Sequence, residues 1–151
     1  MDKPLRRTGR YWLDLFTPET WGEASRYDFT VSGFRRSRWA TVQKIRAGDI
    51  LICYLIKASR FVGALQVMSE PYLDETPIWK TDVFPCRLRV EPIVALAPEV
   101  GVPVKDLRDK LSYFRDMKSP ISWTGHFRGS PSRIRPGDGD AVMQALREAQ
   151  A

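Results

Sequence analysis

Apolar residues mark five stretches of the chain as β-strands. The stretch 50–56 ("ILICYLI") is almost entirely apolar, which predicts a buried central strand. The stretch 61–67 ("FVGALQV") follows after a short turn, so the two predict a hairpin. Gly63 within it predicts a bulge or a close approach of another backbone. The other strand-like stretches mix apolar, branched and aromatic residues with polar ones, and they are 10–16, 27–34 and 84–93.

Helical patterns are shorter. Thr17 followed by Pro18 predicts the start of a short helix that runs through Trp21, because threonine caps helices and proline suits the first helical position. Ser37 predicts the cap of a second helix that ends before Gly48. The apolar residues at helical spacing are Trp39, Val42 and Ile45, then Leu107, Leu111 and Phe114 in the stretch 104–114, and Val142, Ala145, Leu146 and Ala149 in the stretch 140–149.

The remaining segments are a loop with two prolines at 69–82 and an irregular stretch at 119–134 with room for one more short strand. Strands do not alternate with long helices, so a doubly wound sheet is not predicted. The pattern predicts an α+β fold, in which a small mixed sheet curls into a barrel flanked by short helices. A chain of 151 residues that is 43% hydrophobic fits one domain, 1–151. Its charged start, 1–9, is expected to be a flexible N-terminus.

Charge is unevenly distributed along the chain. The formal net charge is +6, which favours a polyanionic partner, nucleic acid before an acidic membrane surface. The segment 26–46 holds six basic residues and one acid, and therefore a net +5 of that charge. Its interleaved rings are Tyr27, Phe29, Phe34 and Trp39. Because cations neutralise phosphates and rings stack on bases, the segment predicts nucleic-acid binding. The alternative is a solvated basic face whose rings turn inward.

Several functional classes lack support in the sequence. No apolar run approaches the ~20 residues of a membrane helix, and no apolar segment follows the charged N-terminus as in a secretory signal. Cys53 and Cys86 give neither a disulfide framework nor a zinc spacing, so we expect a cytoplasmic protein without a metal or cofactor. The single histidine, His126, and the missing phosphate-loop and nucleophile-elbow motifs predict a protein that is not an enzyme.

The order of the motifs resembles a known family. The motifs are "YWLDLFTPETW", "SGF", "RAGDILICY", "FVGALQVMSEPYLDETPIW", "FPCRLRVEPI" and "SWTGHFRG". This succession resembles the EVE domain of the PUA-like superfamily and, more distantly, the YTH domains that read methylated adenine in RNA. The resemblance runs from about Tyr11 to Leu146. Its most specific part is the "GD"–strand–turn–"VG"–strand–"SEPY-D" core and the tryptophan that follows.

The resemblance implies a twisted, barrel-like sheet with a pocket that accepts a base displaced from nucleic acid. In this superfamily aromatic side chains sandwich the base, and polar groups at the rim read its edge. Bacterial relatives are associated with modification-dependent restriction, and other relatives are linked to RNA.

Residue by residue, Trp79 matches the aromatic wall of that pocket. Ser32 and Gly33 match the corner before the basic helix. Because YTH domains carry tryptophan where this chain has Ser32, the second wall is missing, open, or supplied by Phe34. Thr17 stands where the superfamily places polar groups that touch the base.

Other aromatic residues leave alternatives open. Tyr54 lines the floor of the pocket or fills the core. Trp79 itself could instead be a core plug that seals the barrel end. The remaining tryptophans are interpreted as packing residues, and they are Trp12, Trp21, Trp39 and Trp123.

The sequence therefore predicts a non-catalytic reader of a modified base, with DNA favoured, that senses modified DNA in restriction and acts with a separate effector such as a nuclease. The predicted phosphate-binding residues are Arg35, Arg36, Arg38, Lys44 and Arg46. The alternatives are a PUA-like RNA-binding module acting on tRNA, rRNA or modified RNA, an enzyme acting on a nucleobase or small molecule in the same pocket, and an interaction domain with a degenerate pocket.

Overall fold

A mixed β-sheet forms the centre of the protein in a computed structural model that describes residues 10–112 and 129–151. The strands in these residues are β1 (Tyr11–Phe16), β2 (Val31–Phe34), β3 (Ile50–Leu55), β4 (Arg60–Val67), β5 (Tyr72–Leu73), β6 (Cys86–Ala95), β7 (Val102–Pro103) and β8 (Ser132–Ile134). They are ordered β2-β6-β4-β3-β1-β8, while β5 pairs with β6 and β7 with β4. Strands β1 and β3 are parallel, and the other pairs are antiparallel.

Short helices flank the sheet. The helices are α1 (Pro18–Ser25), α2 (Trp39–Val42) and α3 (Pro136–Gln150), and 3₁₀ turns occupy Arg36–Arg38, Pro98–Val100 and Val104–Leu107. Within residues 10–112 and 129–151, no helix has the length and apolar character needed to cross a membrane.

The two faces of the sheet bury two separate apolar cores. In β3, Ile50, Ile52 and Tyr54 join the first core, which α3 covers with residues such as Leu146. Alternate residues of the same strand, including Leu51, join the second core, which lies inside the curl of the sheet. The predicted α+β class with a curled mixed sheet is confirmed.

A buried polar contact joins strands that are not paired with each other. The Ser32 hydroxyl on β2 donates a hydrogen bond to the Asp14 carboxylate on β1, and both residues are almost completely buried. Because β2 and β1 stand far apart in the strand order, this contact requires the sheet to curl.

Gly63 has the predicted role. The register of β3 and β4 shifts next to it, and a Cβ at this position would lie 2.7 Å from the Val94 carbonyl oxygen and 2.8 Å from the Trp21 ring. Trp21 therefore packs directly on the β4 backbone and belongs to the second core, as does Trp12. Trp39 is half-buried against the same core, and Trp123 lies outside the described residues.

The predicted helix after Ser37 is shorter than expected. No side chain caps it, and the structure has only a 3₁₀ turn followed by the four-residue α2. Half of α2 is β-branched, which weakens helix propensity. The Asp49 carboxylate then accepts a hydrogen bond from the Arg46 backbone, at 3.0 Å, and stabilises the turn that leads into β3.

Four other boundaries differ from the prediction. Strand β2 begins at Val31 rather than at Tyr27, because Asp28 and Phe29 have positive φ values of 55° and 54°. Strand β6 begins at Cys86 because Phe84 has a positive φ of 46° and the following proline has no N–H for the ladder. The predicted helix at 104–114 is a 3₁₀ turn over Val104–Leu107, and Phe114 lies outside the described residues. Helix α3 begins at Pro136 rather than at Asp140, with proline in its first turn.

Candidate nucleic-acid interface

The Trp79 ring lies directly on the backbone of β2. A Cβ at Gly33 would lie 2.8 Å from Trp79 Cζ3 and 2.7 Å from the Phe84 carbonyl oxygen, closer than real Cβ atoms come. Only glycine therefore permits this contact, as close backbone approaches in strands require. The structure thus brings together two of the residues that the sequence places in the pocket.

Trp79 is buried, with 6% of its surface exposed, yet it belongs to neither apolar core of the described residues. The Phe84 ring meets it edge-on, with centroids 5.5 Å apart, and the Arg87 guanidinium carbon lies 5.4 Å from its centroid. The ring is thus covered by a loop and a cation rather than by the barrel interior. Trp79 therefore packs outside both cores, and its two predicted roles, a packing residue or the wall of a base pocket, stay predictions.

Arg87 holds the loop that carries Trp79, residues 74–85, which we call the β5–β6 loop. Arg87 is 1% exposed. Its Nε donates to the Phe84 carbonyl at 3.2 Å, and its Nη2 donates to the carbonyls of Val83, at 3.1 Å, and Thr76. Its Nη1 lies 3.6 Å from an Asp74 carboxylate oxygen. One buried cation thus satisfies three loop carbonyls and one acid.

Sequence reasoning missed Arg87, because alternation in β6 predicts a half-exposed strand with basic residues on its outer face. The signal that could have found it is register, since Arg87 pairs with Gly33 across β2 and β6. A glycine opposite an arginine leaves space for a ring above both.

Glu23 of α1 contacts the same loop from the other side. Its carboxylate oxygen Oε2 accepts a hydrogen bond of 3.0 Å from the backbone nitrogen of Lys80, the residue after Trp79. Its other oxygen, Oε1, is buried and has no hydrogen-bond partner among the described residues. A buried acceptor without a donor is unfavourable, so Oε1 is a candidate to accept a hydrogen bond from a ligand.

The structure places the other predicted pocket residues elsewhere. Ser32 and Phe34 alternate with Gly33 along β2, so their side chains point to the opposite face, into the curl of the sheet. Thr17 caps α1, with its hydroxyl accepting a hydrogen bond from the Thr20 backbone at 3.0 Å. Tyr54 lies in the first core, edge-on to Phe61, 5.0 Å between centroids. The predicted six-residue pocket is therefore not assembled around Trp79.

Burial changes the acid–base properties of the interior. It raises the pKa of Asp14 from 3.8 to about 7, and the Ser32 hydrogen bond opposes this rise only in part. Burial and the neighbouring Asp14 charge also raise the pKa of the Cys53 thiol. Both effects disfavour a charge inside the curl.

This pKa predicts a pH-dependent stability. Because the folded pKa lies above the unfolded value of ~3.9, the stabilisation is full below about pH 4 and is lost as the pH rises through about 7. Between about pH 5 and pH 8 the free energy of unfolding should fall by roughly 2–3 kcal/mol through Asp14 alone. Urea denaturation of the parent and of Asp14→Asn at both pH values measures the difference. Equal pH dependence in the two proteins would refute the assignment, and the exposed Asp106→Asn serves as the control.

A basic cavity of about 450 Å³ opens beside β1, α2 and β8. Five cationic side chains and no acidic one line it. The lining residues are Arg10, Trp12, Arg38, Thr41, Lys44, Arg46, Pro131, Ser132 and Arg133. Three of the predicted phosphate-binding residues thus meet in one place, and the sequence missed Arg10 and Arg133 because they converge only through the pairing of β1 with β8.

Arg38 and Arg133 shape the cavity. Arg38 Nη2 donates to the Pro131 carbonyl at 2.7 Å, while its Nε is buried without a hydrogen-bond partner among the described residues. The Arg133 guanidinium lies 5.3 Å from the centroid of the Trp12 ring. Neither guanidinium has an acidic lining residue to neutralise it within the cavity.

Arg35 and Arg36 lie between the two regions. Arg35 is 3.7 Å from a carboxylate oxygen of Asp82 in the β5–β6 loop, and 71% of its side chain is exposed. Arg36 is also exposed. Arg38, which lines the cavity, is the third and last residue of the 3₁₀ turn that follows Arg35, with a rise of ~2 Å per residue. Basic side chains therefore connect the Trp79 loop to the cavity.

The described residues hold no group of three or more His, Cys, Asp or Glu side chains suited to a metal ion. Both cysteines are free and buried. His126 lies outside the described residues.

Solved structures with the same fold are YTH domains and a structural-genomics protein. The Pho92 YTH domain in complex with m6A is 14% identical, with a TM-score of 0.67 over 97% of this chain and 87% of that one. The YTH domain of Zygosaccharomyces rouxii MRB1 in complex with N6-methyladenosine RNA is also 14% identical, with a TM-score of 0.64 over 97% and 90%. The NMR structure of Rpa0253 from Rhodopseudomonas palustris is 16% identical, with a TM-score of 0.63 over 92% and 94%.

These likenesses show a YTH-like fold. The three proteins carry neither the EVE nor the PUA name, so that part of the resemblance stays a prediction.

Protein relatives give the family, although no protein-family model matches the sequence. A UPF0310 protein of Pyrococcus abyssi is 30% identical over 149 residues, which cover 90% of this chain and 98% of that protein. A UPF0310 protein of Pyrococcus horikoshii is 25% identical over 90% and 97%. The chain therefore belongs to the UPF0310 family.

Proposed function

We propose that the protein is a non-catalytic reader that binds single-stranded RNA and recognises a modified base through the Trp79 region. The phosphates would lie along the basic cavity and the neighbouring Arg35 and Arg36. The cavity carries the proposal, because five cations and no acid line it. Such a surface favours a chain of phosphates and gives binding that weakens as salt is added.

Trp79 supports the base-binding part. A base stacked on an aromatic side chain contributes about 1–3 kcal/mol to binding. Because only 6% of the Trp79 ring is exposed, Phe84 and its neighbours in the β5–β6 loop would have to move outward before a base could reach the ring. Arg87 bonds the carbonyls of Val83 and Phe84 in this part of the loop, so its movement would break those bonds and leave the strand pairing of the sheet intact.

The ligands of the structural relatives favour RNA over DNA. Two of the YTH domains with this fold are described in complex with m6A or N6-methyladenosine RNA, and the Mmi1 YTH domain is described in complex with RNA. The preference for DNA that we drew from the sequence finds no support in these relatives, and neither does a role in restriction. A modified base in DNA, with a separate nuclease as effector, remains the second candidate.

Binding to matched oligonucleotides at one salt concentration tests the proposal. The panel is a single-stranded RNA with one adenosine or one N6-methyladenosine, the corresponding single-stranded DNA pair, and the methylated DNA duplex. We expect the methylated RNA to bind most tightly, and the recovered nucleosides to be unchanged. Tighter binding of methylated DNA would favour the second candidate, and equal binding of all five would contradict base reading.

A further inference from the structure

Glu23, which lies near Trp79, has a buried carboxylate oxygen without a hydrogen-bond partner among the described residues. It is 5% exposed, and one carboxylate oxygen bonds the Lys80 backbone while Oε1 has no donor among the described residues. A buried oxygen of this kind loses its hydration without gaining a hydrogen bond, which is unfavourable. A ligand that supplies a donor removes that penalty.

The chemistry of the missing partner follows from the carboxylate. An ionised carboxylate only accepts hydrogen bonds, so the partner must present an N–H or O–H. Adenine, cytosine and guanine all carry an exocyclic amino group that can donate to a carboxylate. Guanine places a ring N–H beside its amino group, which suits both oxygens of a carboxylate, whereas adenine and cytosine place an accepting ring nitrogen there. Because Lys80 already occupies Oε2, the single free oxygen of Glu23 fits adenine or cytosine.

Glu23 lies close enough to Trp79 for one base to contact both residues. The bond to Lys80 fixes the carboxylate beside the backbone of the residue that follows Trp79. A base that stacks on the indole therefore presents its edge within the same small region. Movement of the residues around Phe84 would give a base access to this region, while the bond to Lys80 keeps the Glu23 carboxylate in place.

We infer that Glu23 Oε1 accepts a hydrogen bond from the exocyclic amino group of the bound base, and that the site selects amino-bearing bases, adenine or cytosine, including forms that keep one N–H after methylation. This inference rests on the proposed function, because it assumes a base at Trp79.

Replacing Glu23 with glutamine gives a sharp test. The glutamine oxygen can still accept from Lys80, and its NH₂ then stands where Oε1 stood, so an acceptor becomes a donor without a change in size. Glu19→Gln is the matched control, because Glu19 lies on the same helix, is exposed, and loses the same charge.

The probes are two pairs of single-stranded RNAs that differ in one base. One pair carries adenine or 6-methylpurine, which has a methyl in place of the amino group. The other carries cytosine or 2-pyrimidinone, which lacks the amino group. For at least one pair, the parent protein and Glu19→Gln should bind the amino base about tenfold or more tightly, and Glu23→Gln should reduce that ratio to below about threefold.

An RNA with an abasic site distinguishes failure of the Glu23 assignment from failure of base reading itself. One outcome is that the amino base binds better than the abasic RNA while the parent and Glu23→Gln show the same preference for the amino base over its amino-free analogue. In that case the Glu23 assignment is wrong, and the proposed base-reading function is not contradicted. If no base binds better than the abasic site, the proposed function fails and the assignment with it. Thermal unfolding of Glu23→Gln close to that of the parent establishes that the variant is folded.

Discussion

Replacing Arg87 with methionine should lower the free energy of unfolding by about 3–5 kcal/mol, because the change removes one partner from a buried charged network. Methionine has a similar length but no donor. The carbonyls of Thr76, Val83 and Phe84 would lose the hydrogen bonds that now satisfy them. Urea denaturation gives the stability, and hydrogen exchange of residues 74–85 shows whether the loss is centred on the β5–β6 loop.

Lysine at position 87 should recover only part of this stability, since a single ammonium cannot replace the planar fork of donors. Arg89→Met is the matched control, because Arg89 is the next residue on the same face of β6 but is exposed. Its replacement should change stability by less than about 0.5 kcal/mol. Equal effects of Arg87→Met and Arg89→Met would contradict the anchoring role of Arg87.

Removal of three cavity charges should weaken RNA binding strongly. In the triple variant Arg10→Gln, Lys44→Gln and Arg133→Gln, three exposed cations of the cavity are lost while Arg38, which bonds the Pro131 carbonyl, is kept. If each contacts one phosphate, the slope of log affinity against log salt should fall by about 2 for a single strand. At ~50 mM salt this corresponds to a loss of a few hundredfold in affinity.

A second triple variant separates the cavity from overall charge. Lys105→Gln, Arg108→Gln and Lys110→Gln remove the same charge from exposed positions outside the cavity. Binding measured over a range of salt concentrations should leave the slope of this variant within about half a unit of the parent slope. If both triple variants weaken binding equally, the cavity has no special role and net charge alone explains the affinity.

Much of the fold followed from the sequence, because the apolar runs are clear. The run at 50–56 became the central strand β3, and Gly63 marks the expected irregularity in β4. The helix after Ser37 was harder to predict, because no side chain caps it and half of its residues are β-branched.

The candidate site was predicted only in part, since its residues meet through register and not through sequence spacing. Trp79 and Gly33 are 46 positions apart, yet they are in contact because β2 pairs with β6 and the β5–β6 loop folds over both. The same register excludes Ser32 and Phe34, which alternation turns inward. Glu23 and Arg87 carry ordinary surface residue types, so nothing in the local sequence predicts their burial.

The most direct test of base reading is the ratio of dissociation constants for an RNA with adenosine and the same RNA with N6-methyladenosine, measured for the parent and for Trp79→Ala. Burial of one methyl group contributes ~0.8 kcal/mol, so the parent should prefer the methylated RNA by about fourfold or more. Trp79→Ala should bind about 5- to 150-fold more weakly, with a ratio near one, because the stacking surface is lost. Tyr27→Ala, which removes a ring that is 46% exposed, is the control. A Trp79→Ala protein that keeps both the parent affinity and the parent ratio would contradict the account.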